Sequence, residues 1–160
     1  NFKNMSRRTV TKKRLPVQDP LFNLYSVSLL TNKILKKGKK TIALKIVRDA
    51  FDYIYAKTNR NPLKIFELAI KNIRPRVEVK SRRIGGSTYP VPREVKAFRS
   101  TNLALKWLVE AANNKSGRKM SLKLANEIIE ASNQTGAAVR KKTEMHKMAK
   151  ANEAFAHFRY

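Results

Sequence analysis

At 160 residues the chain suits one domain with a single modest core, and its 42% apolar content is that of an ordinary globular protein, not of a chain disordered by composition. Its 36 lysines and arginines against 11 carboxylates leave a formal charge of +25, a self-repulsion that a polyanion relieves; nucleic acid is the first candidate and an anionic membrane surface the second. The lack of cysteine excludes disulfides and thiolate metal sites, and no apolar run approaches the roughly 18 residues of a membrane span.

Residues 1–14 hold six basic side chains and no acidic one, with no apolar periodicity and no apolar stretch of signal-peptide type. Residues 1–18 therefore read as a basic arm that becomes ordered on a partner, and residues 19–160 as a single helical domain. "QDPLF" predicts a first helix with Asp19 as N-cap and Pro20 at the first helical position, running to about Lys36 with Val27, Leu30 and Ile34 on one face. "KKGKK" closes it, with Gly38 suited to the left-handed position after a helix. A second helix fits Lys39 to Lys57, where Ala43, Val47, Ala50 and Ile54 share a face. A third starts at "NPL", with Asn61 as N-cap, and turns Ile65, Phe66, Ala69 and Ile73 inward; Pro75 ends it.

"VEVKSRRIGGSTYPVPREV" then alternates, turns and alternates again, a hairpin at about 75–97. Gly85-Gly86 suits a two-residue turn that needs positive φ. The resulting register pairs Ile84 with Ser87, Arg82 with Tyr89, Lys80 with Val91 and Glu78 with Arg93. Pro90 and Pro92 then both fall where no inward ladder donor is needed, which supports that register and blunts the outer edge of the second strand. With few strongly apolar residues, the ribbon is expected to project from the body and not to fold down on it. Three further helices follow. Ser100 to Asn113 carries Ala104, Trp107, Leu108 and Ala111; Lys119 to Asn133 carries Leu124, Ala125, Ile128 and Ile129. The last runs from Ala137 to Ala156 with Met145, Met148, Ala149, Asn152 and Phe155 inward. The expected fold is mainly α: a six-helix bundle-like domain with one extended two-stranded hairpin between the third and fourth helices.

The cations gather at particular places. The ribbon carries Lys80, Arg82, Arg83, Arg93 and Lys96, with Arg74 and Arg76 at its root and Tyr89 as a stacking face. Lys36, Lys37, Gly38, Lys39 and Lys40 form one basic helix junction, and Gly117, Arg118 and Lys119 another; a helix start beside lysines suits a phosphate. Arg140, Lys141, Lys142, His146, Lys147 and Lys150 spread over one broad outer surface of the last helix, where they are expected to contact RNA phosphates. Lysines at a helix C-terminus and on a solvated helix face are also ordinary without a ligand. Nothing resembles a nucleophile elbow, a phosphate-binding loop or a dinucleotide fingerprint. The only histidines, His146 and His157, lie too far apart for helical metal-ligand spacing, so no catalysis, metal, cofactor or small-molecule substrate is expected. No helix combines a strong moment with exposed bulky apolar residues, which argues against a membrane.

Taken in order, "RPRVEVKSRRIGGSTYPVPREV", "LALKWLVEAA", "MSLKLANEIIEA" and "MHKMAKANEAFAHFRY" resemble the family of ribosomal protein seven of the small subunit, of bacterial and organellar type. The resemblance covers about Met5 to Tyr160, and Asn1 to Asn4 lie outside it. "MSRRTVTKKR" and "NPL" look like a plastid member, which implies a plastid (chloroplast) ribosome, with bacterial cytoplasm as the alternative. The resemblance implies a structural protein that binds the three-prime major (head) domain of small-subunit rRNA early in assembly. It implies a ribbon near the exit-site tRNA and the mRNA exit path, with small-subunit ribosomal proteins nine, eleven, thirteen and nineteen as neighbours. Carried onto this chain, the rRNA-binding arm is Arg7, Arg8, Lys12, Lys13 and Arg14, joined by Gly38 to Lys40, Arg74 and Arg76. Lys80, Arg82, Arg83, Gly85, Gly86 and Tyr89 match the ribbon, whereas Pro90 stands where the family often has Gln. The rival readings are a translational repressor of its own mRNA and a basic architectural nucleic-acid-binding protein; the same surface would serve either.

Overall fold

A computed structural model describes residues 16–159; the arm cations Arg7, Arg8, Lys12, Lys13 and Arg14 lie outside them. The elements follow as α1 (Tyr25–Ile34), α2 (Lys40–Thr58), α3 (Pro62–Ile73), β1 (Val77–Ile84), β2 (Ser87–Glu94), α4 (Ala97–Asn114), α5 (Met120–Ser132) and α6 (Ala137–Ala151), then a 3₁₀ segment, Glu153–Arg159. Helix α5 is the hub and packs on α2, α3 and α4. Its Leu124, Ala125, Ile128 and Ala131 are fully buried with Ile54, Phe66, Ile73, Leu105 and Leu108. Each large aliphatic or aromatic side chain so buried contributes roughly 1.5–3 kcal/mol. Trp107 belongs to this core, and every inward residue expected of α2 is buried.

Helices α1, α4 and α6 differ from expectation at their ends; α4 starts at Ala97, three residues before the expected Ser100, directly after Lys96, which was expected on the ribbon. Asp19 does accept the N–H groups of Leu21 and Phe22, each at 3.2 Å. That turn does not grow into a helix, because Asn23 takes a left-handed φ of 49° and α1 begins only at Tyr25. It ends at Ile34, short of Lys36. At the other end of the chain, α6 stops at Ala151. Both the backbone N–H and the side-chain amide of Asn152 donate to the Met148 carbonyl, at 3.2 and 2.8 Å, and the chain tightens into the 3₁₀ segment. Met148 is 50% exposed and is not part of the inner face.

The hairpin has the predicted register throughout, from Val77↔Glu94 to Ile84↔Ser87, with Gly85 and Gly86 at φ of 56° and 91° as a primed turn requires. It does not stand clear of the body along its length. Strand β1 lies against α6 and β2 against the 3₁₀ segment; Tyr89 packs on Phe155 with ring centroids 5.3 Å apart, and Val91 is 4% exposed. The 3₁₀ segment thus supplies the apolar partner that the ribbon's own sequence lacks. At the root, Ser100 Oγ donates to the Pro75 carbonyl at 2.7 Å, the Val95 N–H donates to Arg76, and Arg99 Nε pairs with Glu78 at 2.8 Å. The tip, residues 85–88, is exposed.

Candidate nucleic-acid interface

The pleat sorts the ribbon's side chains into two faces. With this register Lys80, Arg82, Ile84, Ser87, Tyr89, Val91 and Arg93 share one face with Glu78, which Arg99 neutralises. Val77, Val79, Pro90 and Pro92 share the other with Arg83. One face therefore carries three of the strands' four cations together with Tyr89, which packs on Phe155, and the buried Val91; the other is mainly apolar along its lower half. Val77 and Pro92 there border α6 near His146 and Ala149.

At the root, His146 Nε2 accepts the Arg76 backbone N–H at 3.0 Å, so this nitrogen carries no proton. Burial, then the nearby Lys142 and Arg76 charges, push the His146 pKa down. His146 fastens the ribbon to α6 as a neutral ring, where a cationic phosphate contact was expected. Its neighbours are also engaged. Lys141 pairs with Glu110, whose carboxyl it holds below the usual range against the opposing effect of burial, and Lys142 Nζ donates to the Asn72 carbonyl at 2.7 Å. Arg140 and Lys147 remain exposed on α6. Arg74 lies beside Arg76 and Lys71 in a shallow cleft at the root.

The junctions "KKGKK" and "GRK", far apart in sequence, are brought together. Lys36 and Lys39 from the first, with Arg118 from the second and Lys123 from α5, edge one open groove of about 370 Å³. Gly38 and Gly117 make the two bends at φ of 74° and 120°. Neither α2 nor α5 has a side-chain cap at its start, so the first-turn N–H groups of both add to the positive field there. Among the described residues, no carboxylate pairs with Lys36, Lys37, Lys39, Lys40, Arg118 or Lys119. Seven cations concentrated at two adjoining junctions, none of them with an ion-pair partner among the described residues, can neutralise several phosphates at once.

This arrangement accords with what other proteins of related sequence are. Residues 6–153 match the family model described as Ribosomal protein S7p/S5e. The chain belongs to that family. As a member of the S7p/S5e family it is 56% identical to "Small ribosomal subunit protein uS7c" of Ostreococcus tauri over 156 residues, covering 98% of this chain and all of the relative. It is 49% identical to "Small ribosomal subunit protein uS7" of Gloeothece citriformis, and likewise to that of Synechococcus elongatus, over the same share. Its S7-type sequence is therefore of the bacterial and organellar kind.

The sequence reading missed one charged cluster. Glu127 is fully buried: Oε1 accepts the Ala138 N–H at 2.9 Å at the start of α6, and Oε2 meets Lys115 Nζ obliquely at 2.9 Å. Lys115 also pairs with Glu130; burial opposes its charge, but the two carboxylates outweigh it and raise its pKa. The cluster fastens α4, α5 and α6 together and fixes where α6 starts. The signal was present, since Glu127 stands among Leu124, Ile128 and Ala131 at inward helical spacing.

Proposed function

We propose that the chain is a structural component of the small ribosomal subunit that binds the three-prime major domain of its rRNA early in assembly. The carrying observation is the pair of basic junctions, whose cations make no ion pair among the described residues although the core beneath them is complete. Such groups neutralise phosphates where rRNA helices converge and let those helices pack closely; recognition then depends on RNA shape and backbone more than on base sequence. The likeness to uS7c and uS7 supports this reading and a plastid ribosome as its setting, and it is equally compatible with a bacterial one. The ribbon, with Arg82 and Arg83 in its outer half and Lys80 and Arg93 nearer its root, then reaches the exit-site tRNA and the mRNA exit path. Small-subunit ribosomal proteins nine, eleven, thirteen and nineteen are its neighbours.

Footprinting on the rRNA domain, on the chain's own mRNA leader and on duplex DNA at physiological salt tests the assignment. Protection confined to the rRNA domain is expected; equal protection of duplex DNA would leave only a non-specific polyanion binder. Removing Arg83 to Thr88 should leave rRNA binding largely intact and disturb tRNA behaviour at the exit site. Loss of all rRNA binding on that deletion would move the main site to the ribbon.

A further inference from the structure

We propose that the groove between the α1–α2 and α4–α5 junctions takes a single unstacked RNA base, with the phosphates on either side of it held by the groove's cationic edges. The inference rests on the rRNA-binding reading and adds a base-sized receptor to it. A surface made only to neutralise phosphates needs cations and nothing else, yet this groove has an aliphatic floor. Ile34, Ile46, Val109 and Met120 line it, and Ile42 stands 52% exposed in the first turn of α2 among lysines. Scattered exposed aliphatic residues are ordinary; a contiguous set ringed by charge is not.

The dimensions and the charge together favour one kind of occupant. A volume of about 370 Å³ is at the small end of ligand-sized pockets and cannot admit a duplex. Lys36 and Lys39 come from one junction and Arg118 and Lys123 from the other, and no carboxylate lines the groove. A nucleic-acid strand meets that pattern by binding phosphates to both sets of cations and turning the intervening base onto the floor. Unstacked bases are what proteins read most readily in RNA, and an apolar floor accepts any base by its π-face. Asn113 at the groove adds an amide that can both donate to and accept from a base edge.

The test compares binding of the whole chain to a fully paired RNA duplex and to the same duplex carrying one unpaired adenosine, by fluorescence anisotropy at fixed salt. The expected result is about a tenfold preference for the bulged RNA, in the range of one stacked base. Ile42→Ala and Met120→Ala should each bring that preference to about threefold or less, while Leu68→Ala, outside the groove, retains it; thermal melts establish that each variant is folded. No preference in the unmodified chain, or a preference that both groove variants keep, overturns the base receptor while leaving phosphate binding standing. Failure to bind either RNA, or indifference to salt, overturns the rRNA-binding reading as well.

Discussion

Replacing Lys36, Lys39 and Arg118 together by glutamine separates the function of the basic junctions from the fold. Glutamine keeps much of the aliphatic stem and removes the charge. If each of the three cations neutralises one phosphate, the slope of log affinity against log salt should become shallower by about 0.9 per contact, or about 2.7 in all. Over the fourfold rise from about 50 to about 200 mM salt, the unmodified chain should then lose about 40-fold more affinity than the variant. The assay is a salt titration of binding to the isolated three-prime major domain of small-subunit rRNA. Stability should move the other way or not at all, because no carboxylate among the described residues pairs with these three and their mutual repulsion is relieved in a chain of net charge +25. An unchanged salt slope would show that these cations do not face phosphates. A drop in melting temperature alongside weaker binding would show that they hold the fold instead.

Gly136→Ala should destabilise the chain by about 2–4 kcal/mol, since φ of 93° strains any side chain there and the new Cβ would lie 2.9 Å from Glu127 Oε1 and 3.2 Å from Glu130 Cβ. Urea unfolding measures it, and a change below about 1 kcal/mol would mean the cluster yields freely. Lys115→Met, which leaves the buried Glu127 without its cation, should cost about 3 kcal/mol in the same assay. His146 should loosen the ribbon root on acidification. Its folded pKa lies below the unfolded value of 6.5, so its contribution is complete above about pH 6.5 and is lost as pH falls through the folded pKa. The readout is exchange of the Arg76 amide, which should quicken at low pH and in His146→Ala at neutral pH; protection that ignores both would exclude the hydrogen bond as the fastening.

What could be read from the sequence was local. The spacing of Ala43, Val47, Ala50 and Ile54 is set by helical geometry alone, and all four are buried. The ribbon register followed from a turn that demands two glycines and from prolines that tolerate only one parity. Where local signals competed, the reading failed: Asp19-Pro20 has the chemistry of a helix start, and the left-handed Asn23 four residues on stops it. Contacts between distant segments were out of reach. Nothing in "KKGKK" indicates that "GRK" lies beside it, and nothing in "FAHF" indicates that Phe155 supplies the ring on which Tyr89 rests. Whether a given lysine faces protein or solvent is equally hidden, as the contrast between Lys142 and Lys147 on one helix shows.

The two prolines of β2 also limit how copies of the chain can join. Growth of a β-fibril is a chain reaction: each added ribbon must accept a neighbour on one edge and offer the other to the next arrival. Here Pro90 and Pro92 stand at two of the four outward positions of β2, at Ser81 and Val79 respectively, and so remove half the donors of that edge. Two ribbons could still meet through their β1 edges, but the pair would expose only β2 edges and stop there. A chain left waiting for its partner thus carries less risk of edge-to-edge polymerisation than the length of its ribbon implies.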